Sequence, residues 1–187
     1  MNSNNYNSAN INFGARHIAK TKILKKASDK YLPREAHIVE FNFRNINDKK
    51  TINILKEKWK DAKYTQMICS SYSDNRHVYA LTTQKSNFRK LNPDSIMGLA
   101  DIYLEQKNAS LKFLQVNPKY INKEDSEAKG IGKSLMHGIV NKLKKQKCEY
   151  IDLYALPNIK PFYRKIFPKI LDKLSTKESY TNMVLEI

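Results

Sequence analysis

The chain has 187 residues, 41% hydrophobic and 10% aromatic, which supports one domain with a packed core and excludes a wholly disordered chain. No apolar run approaches the ~18 residues that a membrane-spanning helix requires. Thirty-four Lys and Arg against 18 Asp and Glu give a net charge of +16, which favours anionic partners: nucleic acid, a ribosome, an acidic surface or a phosphorylated cofactor. The start, Met1-Asn2-Ser3-Asn4-Asn5, lacks the apolar block of a secretory leader, and the cysteines, Cys69 and Cys148, stand far apart in sequence. A disulfide framework is not expected, and a reducing, cytoplasmic setting is. A secreted effector is the alternative left open.

Residues 1–15 are Asn- and Ser-rich and read as a flexible tail. Arg16, Lys20, Lys22, Lys25, Lys26 and Lys30 follow, giving a polar, basic arm over 1–30, solvated rather than helical, and Pro33 marks a boundary. A single domain is expected over 31–187. Alternation from Ala36 to Phe43 predicts a first strand. Asp48 is a candidate helix N-cap, with Ile52, Leu55 and Trp59 on one helical face. Residues 64–73 carry no clear period. Arg76 to Thr83 predicts a second strand, Asn87 to Asp94 a polar loop, and Ser95 to Glu105 a third strand with Gly98 at a bulge. A turn over Gln106 to Ser110 makes the third and fourth strands an antiparallel hairpin.

The fourth strand covers Leu111 to Val116. Ile131, Leu135, Met136, Ile139, Val140 and Leu143 form one stripe of a helix running from Gly130 to about Gln146. A fifth strand spans about Tyr150 to Ala155, a short helix about Asn158 to Ile166, and a last strand Tyr180 to Ile187. Residues 168–178 read as either a helical turn or a strand.

Strand, glycine turn and helix together make an anion-binding corner, because the first-turn amides lack partners and the helix dipole is positive there. Three patterns compete for Lys129-Gly130-Ile131-Gly132-Lys133-Ser134. The phosphate loop G-x-x-x-x-G-K-[ST] fits at Gly132-Lys133-Ser134, but Glu127 occupies its first glycine position and about a dozen residues separate it from the strand. The dinucleotide fingerprint G-x-G-x-x-G fits at Gly130 and Gly132 and fails at Leu135. The third pattern pairs Val116-Asn117-Pro118 at a strand end with Gly130-Ile131-Gly132 opening a helix, and has Phe162-Tyr163-Arg164-Lys165-Ile166-Phe167 after the next strand.

This third arrangement resembles the GCN5-related N-acetyltransferase family. The resemblance spans about residues 36–187 and is sharpest over 111–167. It implies a mixed α/β, acyl-CoA N-acyltransferase-like fold: a mostly antiparallel sheet whose fourth and fifth predicted strands are parallel, joined by the helix, and splayed to hold coenzyme A. It implies acetyl-CoA as cofactor and an amine as acceptor. Backbone groups of Leu114, Gln115 and Val116 would pair with the pantetheine arm, amides from Lys129, Gly130, Ile131, Gly132, Lys133 and Ser134 would cradle the pyrophosphate, and Asn158 would reach the pantetheine. Tyr163 would be the general acid beside the sulfur. Glu127 stands where the family signature has Arg or Gln, an acid expected to weaken cofactor binding unless it turns away.

No general base is legible. Asp101, Tyr103 and Glu105 share a strand face and are candidates, each also readable as a solvent-facing side chain. His137 borders the apolar stripe and reads as a packing histidine. His17, His37 and His77 do not cluster with the cysteines, and no metal site is expected. The rival function is a basic module of the same fold that binds RNA, the ribosome or a partner protein without catalysis.

Overall fold

Residues 16–27 are a strand, not a solvated arm. In the computed structural model of the protein, which describes residues 14–70, 73–121, 126–173 and 180–187, β1 (Arg16–Ala27) pairs along its length with antiparallel β2 (Lys30–Glu40). The expected boundary at residue 31 therefore falls inside a hairpin; residues 1–13, the rest of the expected arm, lie outside the described residues. Alternation hid this hairpin because both faces of β1 carry lysines, a pattern suited to an edge position. Pro33 lies within β2 rather than at a boundary. β2 meets its second neighbour only from His37 to Glu40, so Pro33 needs no donor on its open side.

The order continues with α1 (Ile46–Lys58), α2 (Lys63–Ser70), β3 (Arg76–Thr82), β4 (Ile96–Glu105), β5 (Asn108–Val116), β6 (Ala128–Lys129), α3 (Ile131–Lys145), β7 (Tyr150–Ala155), α4 (Lys160–Ile166), β8 (Leu171–Lys173) and β9 (Thr181–Glu186). Among the described residues one sheet holds nine strands in the order β6-β1-β2-β3-β4-β5-β7-β9-β8. Only the β5–β7 pair among them is parallel. The unassigned stretch 64–73 supplies α2, with residues 71–72 outside the described residues. Of the open choice over 168–178, the strand occurs as β8, and 174–179 lie outside the described residues.

The N-cap of α1 is Asn45, not Asp48. Asn45 Oδ1 accepts from the amides of Asn47 and Asp48, and Asp48, one turn in and buried, accepts from the Asn42 amide at 2.7 Å. Asn45 thus caps the helix, while Asp48 ties its first turn to the chain before the cap, where the Asn45 amide donates to the Asn42 carbonyl at 2.8 Å.

Two apolar layers sandwich the sheet. Leu135, Met136, Ile139 and Leu143 of α3 pack with Ile38, Tyr79 and Ile151 on one face. Ile52 and Leu55 of α1, with Trp59 and Ile68, pack with Val39, Val78 and Leu99 on the other. No helix among the described residues is long and apolar enough to cross a membrane.

Candidate active site

β5 and β7 pair from Asn108 opposite Tyr150 to Leu111 opposite Leu153, and there the pairing stops. The cause lies in β5. Opposite β4, the register jumps from Ile102–Leu111 to Asp101–Phe113, so Lys112 is an extra residue. Such a bulge bends the strand that carries it. Beyond the bulge β5 stays with β4, while Tyr154 and Ala155 of β7 stay with Asn182 and Thr181 of β9. The two parallel strands part.

A cavity of about 740 Å³ fills the gap. Its walls are Leu111 to Val116 and Leu153 to Leu156, closed by Tyr64 and Met67 of α2 and by Phe162 and Tyr163 of α4. The Asn117 amide donates to the Met97 carbonyl of β4 at 2.8 Å, which fixes the phase of β5. Backbone groups alternate sides along a strand, so Gln115 turns its own toward β4 and Leu114 and Val116 turn theirs into the gap. The Val116 carbonyl accepts from Gln115 Nε2 at 2.7 Å. Of the three expected pantetheine partners, Leu114 and Val116 face the gap by backbone, and Gln115 contributes its side chain.

The glycine corner adjoins this cavity. Gly130 caps α3 with φ of 78°, a left-handed conformation that glycine adopts without strain, and among the described residues no side chain caps the helix. The first-turn amides of Ile131, Gly132 and Lys133 therefore have no intrahelical acceptor. A second depression of about 290 Å³ lies over them, sharing Val116, Ile121, Gly132 and Phe162 with the first. A β-carbon at Gly132 would stand 3.2 Å from Phe162 Cζ and 3.6 Å from Val116 Cγ2, at the junction of the two spaces.

The structure narrows the expected cradle. Lys129 belongs to β6, opposite Leu24 of β1, which commits its backbone to the sheet; its ammonium lies 4.2 Å from the Tyr31 ring centre. The Ser134 amide donates to the Gly130 carbonyl at 2.9 Å, and its hydroxyl to the Lys22 carbonyl at 2.6 Å. Gly130 to Lys133 remain. Asn158 sits exposed on the turn before α4 and does not line the cavity; Leu156 and Ile159 do. The Glu127 carboxylate pairs with Lys119 Nζ at 2.7 Å, both ends exposed, so its charge at the corner is balanced.

Tyr163 is buried in the cavity wall, with Phe162 edge-on at 5.1 Å. Burial, aided by nearby Tyr64, pushes its phenol well above the ordinary tyrosine value, so the proton stays on the oxygen. Tyr64 itself stacks on Phe113 across the cavity, ring centres 5.4 Å apart.

Of the candidate bases, Asp101 is no surface group. It is buried and holds Arg76 by two bonds of 2.8 Å, while Arg76 also donates to the Met67 and Ile68 carbonyls that end α2. Tyr103 lies under Lys112 Nζ at 5.6 Å, and Glu105 is exposed; none of the three lines the cavity. His137 stacks on Phe167 and lies 3.2 Å from the Ile166 carbonyl, tying α4 to α3.

Sequence reasoning missed Tyr64, Met67 and the double role of Phe162. α2 is too short to show a period, and Phe162 stood in plain view beside Tyr163 but carries no polar group to attract notice.

Parted parallel strands beside an uncapped glycine helix decide the fold. The chain has the GCN5-related N-acetyltransferase fold. The structure of the ribosomal-protein-S18-alanine N-acetyltransferase from Escherichia coli superposes with a TM-score of 0.55 at 14% identity, covering 81% of this chain and 94% of that one. The GNAT domain of S. lividans PAT gives 0.57 at 10% identity over 90% of this chain and 97% of its own. The PaiA N-acetyltransferase from Thermoplasma acidophilum, in complex with coenzyme A, gives 0.51 at 17% identity over 81% and 99%. At these identities the likeness is one of fold. No protein-family model matches the sequence, and no curated protein matches it.

Proposed function

We propose that this protein transfers an acetyl group from acetyl-CoA directly to an amine. The observation that carries the reading is the gap beyond Leu111 and Leu153, which opens straight onto the free amides of α3. The residues fit the cofactor in three places. Amides of Ile131, Gly132 and Lys133 suit a pyrophosphate, and the bare Cα of Gly132 leaves room for it. The Lys133 side chain lines the same depression and adds charge. The backbone edge at Leu114 and Val116 suits the amides of a pantetheine arm, as an added strand would.

Acetyl-CoA supplies an activated thioester. The chain's own part is to hold it, polarise it and manage protons. The Val116 amide, directed into the gap, serves as the oxyanion donor. Tyr163 keeps its proton until a thiolate needs it, the state a general acid must occupy. The acceptor arrives neutral or loses its proton to water, since Asp101 is held by Arg76. The S18 enzyme among the similar structures acts on a ribosomal protein by its name, and a ribosomal amine would suit the +16 charge of this chain. The cytoplasm, where acetyl-CoA and such acceptors meet, is the compartment this reading requires.

Isothermal titration with acetyl-CoA tests the reading. Saturable binding in the micromolar range is expected, and no detectable heat at millimolar cofactor would refute it.

A further inference from the structure

The β1–β2 hairpin overhangs the sheet. β2 pairs with β3 only from His37 onward, so residues 30–36 carry β1 on one side alone. Ile23 faces α3 and is buried there. By alternation Lys20, Lys22, Leu24 and Lys26 face the other way, opposite His37, Glu35, Pro33 and Tyr31 of β2. At the hairpin's outer half no described residue covers this second face: Leu24 is 41% exposed and Pro33 is exposed. Lys129 of β6 adjoins Leu24, its ammonium seated on the Tyr31 ring, whose hydroxyl is fixed by the Ser126 carbonyl at 2.7 Å.

We propose that this face binds single-stranded nucleic acid through its phosphates. Residues two apart on a strand stand about 6.8 Å apart, so Lys20 and Lys22 match successive phosphates of an extended strand, and Lys26, two such steps beyond Lys22, matches the next but one. Lys129 adds one further cation, one strand away. Over residues 16–40 seven Lys and Arg face three Asp and Glu, and of those acids Glu40 is buried and engaged by Arg16. Among the described residues two acids share the face: Glu35, paired with Lys20 at 3.5 Å, and Glu127, which adjoins Lys26 and is paired with Lys119 at 2.7 Å. The shape is a flat ribbon, without a projecting helix to enter a duplex groove. A membrane is the poorer fit, because the exposed Leu24 and Leu32 point from opposite faces and give no apolar side to insert. This role is independent of acetyl transfer.

The test is fluorescence anisotropy of the full chain with a labelled 12-nucleotide oligouridylate, repeated from 50 to 300 mM salt. Binding should weaken with a log–log slope of roughly −2 to −3, about −0.7 for each of three or four phosphates. The triple variant Lys20→Gln, Lys22→Gln, Lys26→Gln should lose at least about tenfold in affinity and about 2 in slope. The control Lys25→Gln, Lys30→Gln, Arg34→Gln removes the same charge from the hairpin's other side and its turn, and should lose less than about threefold. Saturating coenzyme A should leave oligouridylate bound. Equal losses in the two triples would show diffuse charge and overturn the proposal. So would displacement by coenzyme A, equal affinity for a duplex, or stronger binding to phosphatidylglycerol vesicles. Circular dichroism of both triples confirms that folding is retained.

Discussion

Phe162 Cζ lies 3.2 Å from where a β-carbon on Gly132 would stand. That distance is tight enough to push the ring but not to break the helix. The methyl of Gly132→Ala would occupy the junction between the strand gap and the helix corner, where a pyrophosphate and a pantetheine arm would meet. Affinity for acetyl-CoA should fall at least tenfold, about 1.4 kcal/mol. The melting temperature should stay within a few degrees, since alanine is the better helix former. Unchanged affinity would remove Gly132 from the binding site.

In the proposed mechanism Tyr163 gives a proton and does not grip the cofactor. Tyr163→Phe should lower turnover by about 10² or more and leave affinity for acetyl-CoA within about twofold. The ring remains to pack against Phe162, so stability should change little. Equal turnover in the two proteins would assign the proton to another donor.

Asp101 was a candidate base on alternation alone; its bonds to Arg76 give it a structural role. Asp101→Asn would leave Arg76 buried beside a neutral partner. Losing one member of a buried ion pair costs about 3–5 kcal/mol, a drop in melting temperature on the order of 10 °C. At a temperature where the variant is folded, kcat should be nearly that of the parent. A lost kcat with an unchanged melting temperature would reverse the assignment.

Two buried carboxylates give stability opposite pH dependences. Burial alone would raise Glu40, but hydrogen bonds from His77 and Arg16 and the charge of Lys142 outweigh it and bring the group from 4.5 to about 2. Its contribution is present above about 4.5 and lost as pH falls toward 2. Burial raises Asp48 from 3.8 to about 6, against hydrogen bonds from Asn42 and Ala15. That contribution is full below about 3.8 and lost as pH rises through 6. Urea denaturation should therefore show greatest stability near pH 4. Glu40→Gln should flatten the acid limb by roughly 2 kcal/mol, a figure discounted because the Arg16 side chain is 67% exposed. Asp48→Asn, which retains an acceptor for the Asn42 amide, should flatten the neutral limb. Parallel curves for parent and variants would contradict both assignments.

Much of this architecture can be read from the chain. The stripe from Ile131 to Leu143, the glycine pair, and the runs at 76–83, 96–105 and 150–155 give α3, the corner and the central strands, because each buries one periodic face. The parting of β5 from β7 was expected from family resemblance, but its cause, the extra residue Lys112, is a matter of register against β4. The β1–β2 hairpin was missed because charge dominates its sequence, while its order comes from pairing between residues as distant as Arg16 and Glu40, Leu24 and Lys129. Asn45 was passed over for Asp48 because both are good caps and only the backbone shows where the helix begins. The commitment of Ser134 to Lys22, 112 residues away, has no local signal at all.

Hydrogen exchange with and without saturating acetyl-CoA bears most directly on the strand gap and the helix corner as one cofactor site. Amides of Leu114, Val116 and residues 131–133 should gain protection together, while those of β1 and β2 keep their rates. Protection that leaves both of these segments unchanged, or that falls on only one of them, would contradict the account.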